Sequence, residues 1–215
     1  MLAHTDILAF TGEAGRIECA VDYPDGDPKG WALVLHPHPL HGGARDNKVV
    51  TTIGRACTSA GLVVVRPNFR GVGASQGEFD SAVGETADML GLIPQIREAL
   101  PGLANAPWVL GGFSFGTAVA AQVYATLAEQ QASPAALMLM GPAVGRFQFR
   151  EVELPEETLL VHGEIDEVVP LAEAMDWARP RNLPIVVIPG ASHFFHGKLI
   201  TLRNLVAQRL KLALR

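Results

Sequence analysis

The chain has 215 residues, 48% of them hydrophobic, and a formal net charge of −5 at pH 7. This length and apolar content predict a single domain over residues 1–215 with a core large enough to be stable alone. The negative charge, with no run of Lys or Arg along the chain, argues against nucleic acid as a partner.

The predicted elements alternate between short strands and longer helices. Two antiparallel strands come first, at about 5–10 and 16–22, followed by a buried strand at 31–36. Next come a helix capped by Asp46 or Asn47 and stopped at Gly61, a strand at 62–67, a helix at about 81–99 and a strand at 108–112. The remaining elements are a helix at 115–131, strands at 135–142 and 158–163, a helix at 171–179, a strand at 184–190 and a final helix from about 197. This order predicts an α/β fold with a mostly parallel sheet, helices on both faces, and ligands at the carboxyl ends of the strands.

Several features predict a cytoplasmic protein that does not act at a membrane. The N-terminus, MLAHTDILAF, lacks the regions of a signal peptide, and no apolar run reaches the ~20 residues that a spanning helix needs. Cys19 and Cys57 form no CxxC pair or disulfide framework, which suits a reducing compartment. The basic amphipathic segment KLITLRNLVAQRLKLALR is interpreted as a surface helix packed on the core rather than a membrane-bound one.

A candidate nucleophile follows the strand at 108–112. Residues Gly112 to Gly116 read GFSFG, a G-x-S-x-G between a predicted strand and a predicted helix. In that context the motif predicts a tight, strained turn that exposes Ser114 at a helix N-terminus, where backbone N–H groups can stabilise an oxyanion. The alternative is an ordinary glycine-rich strand–helix turn.

A serine needs a base, and the base needs an acid that orients it. Asp166 follows one later strand and His193 follows the next, in the chain order Ser, Asp, His. Glu164 is a rival for the acid and His196 a rival for the base. Helix capping by Asp166 and an ordinary loop position for His193 are the structural alternatives.

These segments resemble the α/β-hydrolase superfamily. GFSFG resembles its nucleophile elbow, HGEIDEVVP its acid loop, GASHFF its histidine loop, and NFRGVGASQGEFD its R-G-x-G-x-S segment. Together with HPHPLHGGARDNKVV, they are similar to a group of small bacterial serine hydrolases related to dienelactone hydrolase. The resemblance implies an eight-stranded, mostly parallel sheet and acyl hydrolysis without a cofactor. The RGVGAS segment also resembles relatives of the prolyl peptidases.

The resemblance also bears on the cover of the site, because many family members insert a lid after the sixth strand. Here residues 143–157 leave too little chain for a helical cap, which predicts a lidless domain with an open site. Phenylalanines flank the predicted catalytic groups and are candidates for binding an apolar acyl group; the alternative is that their rings pack in the core or under the loop. The candidates are Phe113, Phe147 and Phe194, with Phe115, Phe149 and Phe195 close to them in sequence.

The segment LVLHPHPLHGG places His36, His38 and His41 within six residues. The spacing resembles a metallo-β-lactamase site, but Leu40 stands where that pattern has an aspartate. In this fold the loop after that strand supplies the second oxyanion-hole N–H. Proline has no N–H, so His38 or Leu40 is predicted to be the donor, with Phe115 as its partner.

The predicted function is therefore a serine hydrolase of carboxylesterase type. It would use no cofactor and no metal, and its partner would be a small-molecule ester. The alternatives are a peptidase or thioesterase using the same triad, a metallohydrolase using the three histidines, and a binding module without catalysis.

Overall fold

An antiparallel hairpin forms one edge of the sheet in the computed structural model, which describes residues 3–214. Strands β1 (His4–Gly12) and β2 (Gly15–Tyr23) pair along their full length, with His4 opposite Tyr23. β2 then pairs antiparallel with β4, so the hairpin extends the sheet on one side. The two predicted N-terminal strands are confirmed.

Six further strands form the parallel part of the sheet. They are β3 (Gly30–Leu35), β4 (Leu62–Pro67), β5 (Trp108–Phe113), β6 (Ala136–Met140), β7 (Leu159–Gly163) and β8 (Ile185–Ile188). Within residues 3–214 the sheet has eight strands in the order β1-β2-β4-β3-β5-β6-β7-β8. Every residue of β3, β4, β5 and β6 is buried, which explains why these strands are apolar apart from Arg66, whose guanidinium pairs with Asp22.

Helices cover both faces of the sheet, as predicted. They are α1 (Lys48–Ser59), α2 (Val83–Ala99), α3 (Phe115–Glu129), α4 (Leu171–Ala178) and α5 (Leu199–Ala213). The core on one side of the sheet includes residues of α1 and α5, and the core on the other side includes residues of α2 and α3. Asn47 caps α1, because its Oδ1 accepts a hydrogen bond of 2.9 Å from the Val49 N–H. None of the helices within residues 3–214 combines the length and apolarity needed to cross a bilayer.

The C-terminal helix packs on the core in the way its amphipathic sequence predicts. Leu202, Val206 and Leu210 of α5 are fully buried against α1 and the sheet. The basic residues Arg203 and Lys211 are exposed.

The segment between β6 and β7 contains only one short 3-10 turn, Val144–Arg146, within the described chain. Residues 141–158 therefore form a loop rather than a cap domain, which confirms the lidless architecture. This loop is fastened to the body, since Gln122 Nε2 donates a hydrogen bond of 3.1 Å to the Arg150 carbonyl. The carboxyl ends of the parallel strands are left open to ligands.

Candidate active site

The turn from β5 to α3 holds Ser114 in a backbone conformation that side chains rarely adopt, with φ +53° and ψ −121°. A Cβ on Gly116 would lie 2.6 Å from the Leu35 carbonyl oxygen, and one on Gly112 would collide with the Gly116 carbonyl. Both glycines are therefore required for the strand and helix to approach this closely. The turn has the strained geometry of a nucleophile elbow.

Three side chains from three loops form one hydrogen-bonded chain. His193 Nε2 lies 2.9 Å from Ser114 Oγ, and His193 Nδ1 lies 2.7 Å from Asp166 Oδ2. An ionised carboxylate only accepts hydrogen bonds, so Nδ1 carries the proton and Nε2 accepts from the Ser114 hydroxyl. The structure thus brings together the three residues predicted from the sequence.

Asp166 is ionised because its hydrogen bonds outweigh its burial. Burial opposes the charge, but the His193 ring and the backbone N–H groups of Val168 and Val169 stabilise it and hold the pKa of Asp166 below its usual value. Those two amides donate to Oδ1 at 2.9 and 2.7 Å. Helix α4 begins after Pro170, so Asp166 organises its own loop and does not cap the helix.

Glu164 and His196, the rival candidates for the acid and the base, make other contacts. Glu164 Oε2 accepts a hydrogen bond of 2.8 Å from the Gly190 N–H, which ties the acid loop to the histidine loop. Glu167 Oε2 does the same for the His193 N–H at 3.1 Å. His196 is exposed and lies beside the Phe194 ring, with 6.0 Å between the ring centroids.

A cavity of about 310 Å³ opens above Ser114. Of the predicted binding residues, Phe147 and Phe194 line this cavity, together with Phe115. Phe113 does not fit its predicted role: it is fully buried, and its ring packs behind His193 with 5.0 Å between the centroids. The correction follows from strand geometry, because Phe113 is the last residue of β5 and its side chain points into the core.

Known structures with the same architecture establish the family. A serine hydrolase without a lid from Xanthomonas campestris matches with a TM-score of 0.87 and 34% identity, over 99% of this chain and 96% of that one. An α/β serine hydrolase homologue from Coxiella burnetii matches with a TM-score of 0.81 and 36% identity, over 97% and 98% of the two chains. The chain belongs to the α/β serine hydrolases without a lid.

The wider comparisons add less to this assignment. No family model matches the hydrolase. Dienelactone hydrolase from Anabaena variabilis matches with a TM-score of 0.78 and 20% identity, with all of both chains covered. At that identity the likeness shows that the fold is shared and nothing more.

The oxyanion candidates of the hydrolase differ in what their N–H groups contact. Phe115 is the first residue of α3, so its N–H belongs to the unpaired donors of the helix start. The Leu40 N–H donates to His38 Nδ1 at 3.2 Å, and the Leu40 side chain is exposed. His38 lines the cavity, and its N–H has no protein acceptor among the described residues. The His38 N–H is therefore available at the cavity, whereas the Leu40 N–H is already bound within its own loop.

The three histidines of this loop do not converge on one point. Both ring nitrogens of the buried His36 contact the backbone: Nδ1 lies 2.7 Å from the Pro37 carbonyl, and Nε2 accepts from the Phe69 N–H at 2.9 Å. The His38 and His41 rings stack at the cavity wall, with centroids 4.3 Å apart. Among residues 3–214, no group of three His, Cys, Asp or Glu side chains is placed to hold a metal ion.

Sequence reasoning missed several parts of the hydrolase site. Asn47, Val168 and Val169 line the cavity, and so does Arg146, which forms a two-point ion pair with Glu173 at 2.6 and 2.9 Å. These residues lie in loops or at helix ends, where no periodic pattern marks them. The signal that could have found them is closeness in sequence to predicted site residues, since Arg146 directly precedes Phe147, and Val168 and Val169 follow Asp166.

Proposed function

We propose that the hydrolase cleaves small carboxylic esters through an acyl intermediate on Ser114. The observation that carries this proposal is the hydrogen-bonded chain from Ser114 Oγ through His193 to Asp166, of which Ser114 and His193 line an open cavity of about 310 Å³. In this chain the base contacts the nucleophile and the acid contacts the base, as activation of a serine requires.

In the first half of the reaction, Ser114 Oγ attacks the ester carbonyl carbon while its proton passes to His193 Nε2. Asp166 keeps the His193 ring oriented and stabilises the imidazolium that forms. The tetrahedral intermediate collapses with cleavage of the C–O bond to the alcohol. The alcohol oxygen takes the proton from Nε2 and leaves, so the acyl group stays on Ser114.

The negative charge on the carbonyl oxygen would be held by the N–H groups of Phe115 and His38. Phe115 supports this role because it is the first residue of α3, where the helix dipole favours negative charge. His38 supports it because the residue lines the cavity and its neighbours, Pro37 and Pro39, limit the motion of the loop.

In the second half, a water molecule gives one proton to His193 Nε2 and its oxygen attacks the acyl carbon. The C–O bond to Ser114 breaks, Ser114 Oγ recovers the proton, and the carboxylic acid leaves. The open architecture allows this water to enter, because the loop between β6 and β7 contains no cap domain.

The cavity wall supports a small apolar acyl group as the substrate portion bound there. Rings form much of it: Phe115, Phe147 and Phe194 lie beside the imidazoles of His38 and His41. Phe115 and Phe147 meet edge to face, with 5.0 Å between their centroids. Such a surface gains free energy by excluding water from an apolar group.

A fluorophosphonate probe tests the nucleophile, since only an activated serine reacts with it readily. We expect wild-type protein to be labelled at Ser114 and to hydrolyse p-nitrophenyl esters of short acyl chains. Ser114→Ala should lose both properties, whereas Ser59→Ala, which changes an exposed serine at the end of α1, should keep both. Folded wild-type protein that resists labelling would contradict the proposal.

The same assay separates the alternative activities. Acetyl esters, thioesters and anilides with the same acyl group compare the three bond classes directly, and the ester is expected to have the highest kcat/KM. A higher value for the anilide would favour a peptidase, and a higher value for the thioester a thioesterase. Inhibition by EDTA with recovery in zinc would instead favour the metallohydrolase.

A further inference from the structure

A buried histidine lies behind the proposed acid. His162 is the second-to-last residue of β7, and its side chain is fully buried. Its Nε2 lies 2.8 Å from the Val169 carbonyl oxygen. A carbonyl only accepts hydrogen bonds, so Nε2 carries the proton. Nδ1 is buried and has no hydrogen-bond partner among the described residues.

His162 contacts the Asp166 loop from two directions. Its Nε2 lies 3.5 Å from Asp166 Oδ2, the oxygen that also receives the His193 Nδ1–H. Val169, whose carbonyl His162 binds, donates its own N–H to Asp166 Oδ1 at 2.7 Å. The His162 imidazole therefore holds the Val169 backbone, whose N–H binds Asp166 Oδ1. The same ring places its Nε2–H close to Asp166 Oδ2.

We propose that His162 is a positioning residue for Asp166: its Nε2–H anchors the Val169 carbonyl and thereby holds the carboxylate in line with His193. The inference rests on the proposed function, because it concerns the acid of that triad. Nothing in the proposed chemistry requires His162 to touch the substrate or to transfer a proton.

The surroundings of His162 make a merely space-filling role a poor explanation. Its neighbours on β7, Leu160 and Val161, are buried apolar residues, so this part of the strand packs in the core without polar side chains. Burying an imidazole with one unpaired nitrogen costs free energy that a leucine would not. The bond to the Val169 carbonyl offsets part of that cost. Burial also lowers the pKa of His162, which keeps the ring neutral at pH 7 with its single proton on Nε2.

The first test compares His162→Leu with His162→Gln in the p-nitrophenyl ester assay. Leucine removes the donor, so kcat should fall about 10- to 100-fold, the loss typical of a misplacement of about 1 Å. KM should change less than kcat, because His162 does not line the cavity itself and meets its wall through Val169. Glutamine can present an N–H near the Nε2 position and should recover most of kcat. Val161→Ala is the matched control, since it disturbs the same strand and should leave kcat unchanged in folded protein. If the leucine variant does not fold, His162→Met replaces it.

The second test is a double-mutant cycle of His162→Leu and Asp166→Ala, in which the measured quantity is the rate of fluorophosphonate labelling. If His162 acts through Asp166, then His162→Leu alone should label more slowly than wild type. Adding His162→Leu to Asp166→Ala should cause no further fall in the labelling rate. Independent, multiplying losses would overturn the inference, as would wild-type kcat in folded His162→Leu.

The outcomes for the two proposals can be told apart. Wild-type protein without Ser114-dependent ester hydrolysis would contradict the proposed function itself. Active wild type combined with unchanged His162→Leu would contradict the positioning role alone.

Discussion

Glu164 Oε2 accepts a hydrogen bond of 2.8 Å from the Gly190 N–H, so this carboxylate joins the acid loop to the histidine loop by their backbones. Asp166, two residues further on, instead contacts the His193 ring itself at 2.7 Å. The two acidic side chains of this short loop therefore have different roles: Glu164 holds the two loops together, and Asp166 contacts the His193 ring.

Asp166→Asn should keep the fold and lower kcat by up to ~10⁴, because an amide can donate to Nδ1 and stabilise the wrong imidazole tautomer. Glu164→Gln should keep kcat within a few-fold, since the glutamine carbonyl still accepts from Gly190. Steady-state kinetics of the two variants with one ester measures the contrast. An inactive Glu164→Gln beside an active Asp166→Asn would assign the acid to Glu164.

His38→Pro should remove one oxyanion donor without bending the loop. The backbone of His38 already has φ −54° and ψ 119°, which proline adopts readily and which suits a residue before Pro39. The expected loss in kcat is ~10²–10³. His38→Ala controls for the side chain, because it keeps the N–H, and should lose about tenfold or less. Leu40→Pro removes the Leu40 N–H, which donates to His38 Nδ1. With both proline variants folded, a larger loss there than in His38→Pro would move the donor to Leu40.

Phe147→Ala should raise KM for esters with longer acyl chains by roughly 5- to 10-fold, or about 1–1.4 kcal/mol of lost apolar contact. Phe149→Ala is its control: the residue is two positions away, 44% exposed and outside the cavity wall. A series of p-nitrophenyl acetate, butyrate and hexanoate measures both variants. Equal KM values for the two variants across the series would exclude Phe147 from the acyl site.

His36 should make the protein less stable as the pH falls. Burial lowers the pKa of His36 to about 4, so between pH ~6.5 and pH ~4 the unfolded chain binds a proton that the folded chain does not. The stabilisation is complete above the unfolded pKa and is lost on acidification, by roughly 3 kcal/mol at pH ~4. His36→Gln does not titrate and offers an acceptor to the Phe69 N–H, so its stability should depend less on pH. Urea unfolding of both proteins at pH 7, 5.5 and 4.5 tests this, and parallel pH curves would count against it.

Much of the fold follows from local patterns along the chain. The runs WALVL and LVVV are apolar because β3 and β4 are buried on both faces of the sheet. Asn47 and Gly61 mark the limits of α1 through a side-chain cap and a positive φ, which are properties of single residues. In the GFSFG turn the need for Gly112 is local, because a Cβ there would collide with the Gly116 carbonyl, whereas Gly116 is needed because Leu35 of β3 lies against it.

The chain alone also determined the order Ser114, Asp166, His193 and the absence of room for a cap between residues 143 and 157. Only the tertiary structure decided which of several neighbouring residues takes each position. It placed Phe147 on the cavity wall and Phe113 in the core, bound the Leu40 N–H within its loop, and put His162 behind Asp166. The physical reason is that these outcomes depend on distances between loops that follow different strands, and such distances exist only after the sheet has aligned the strand ends.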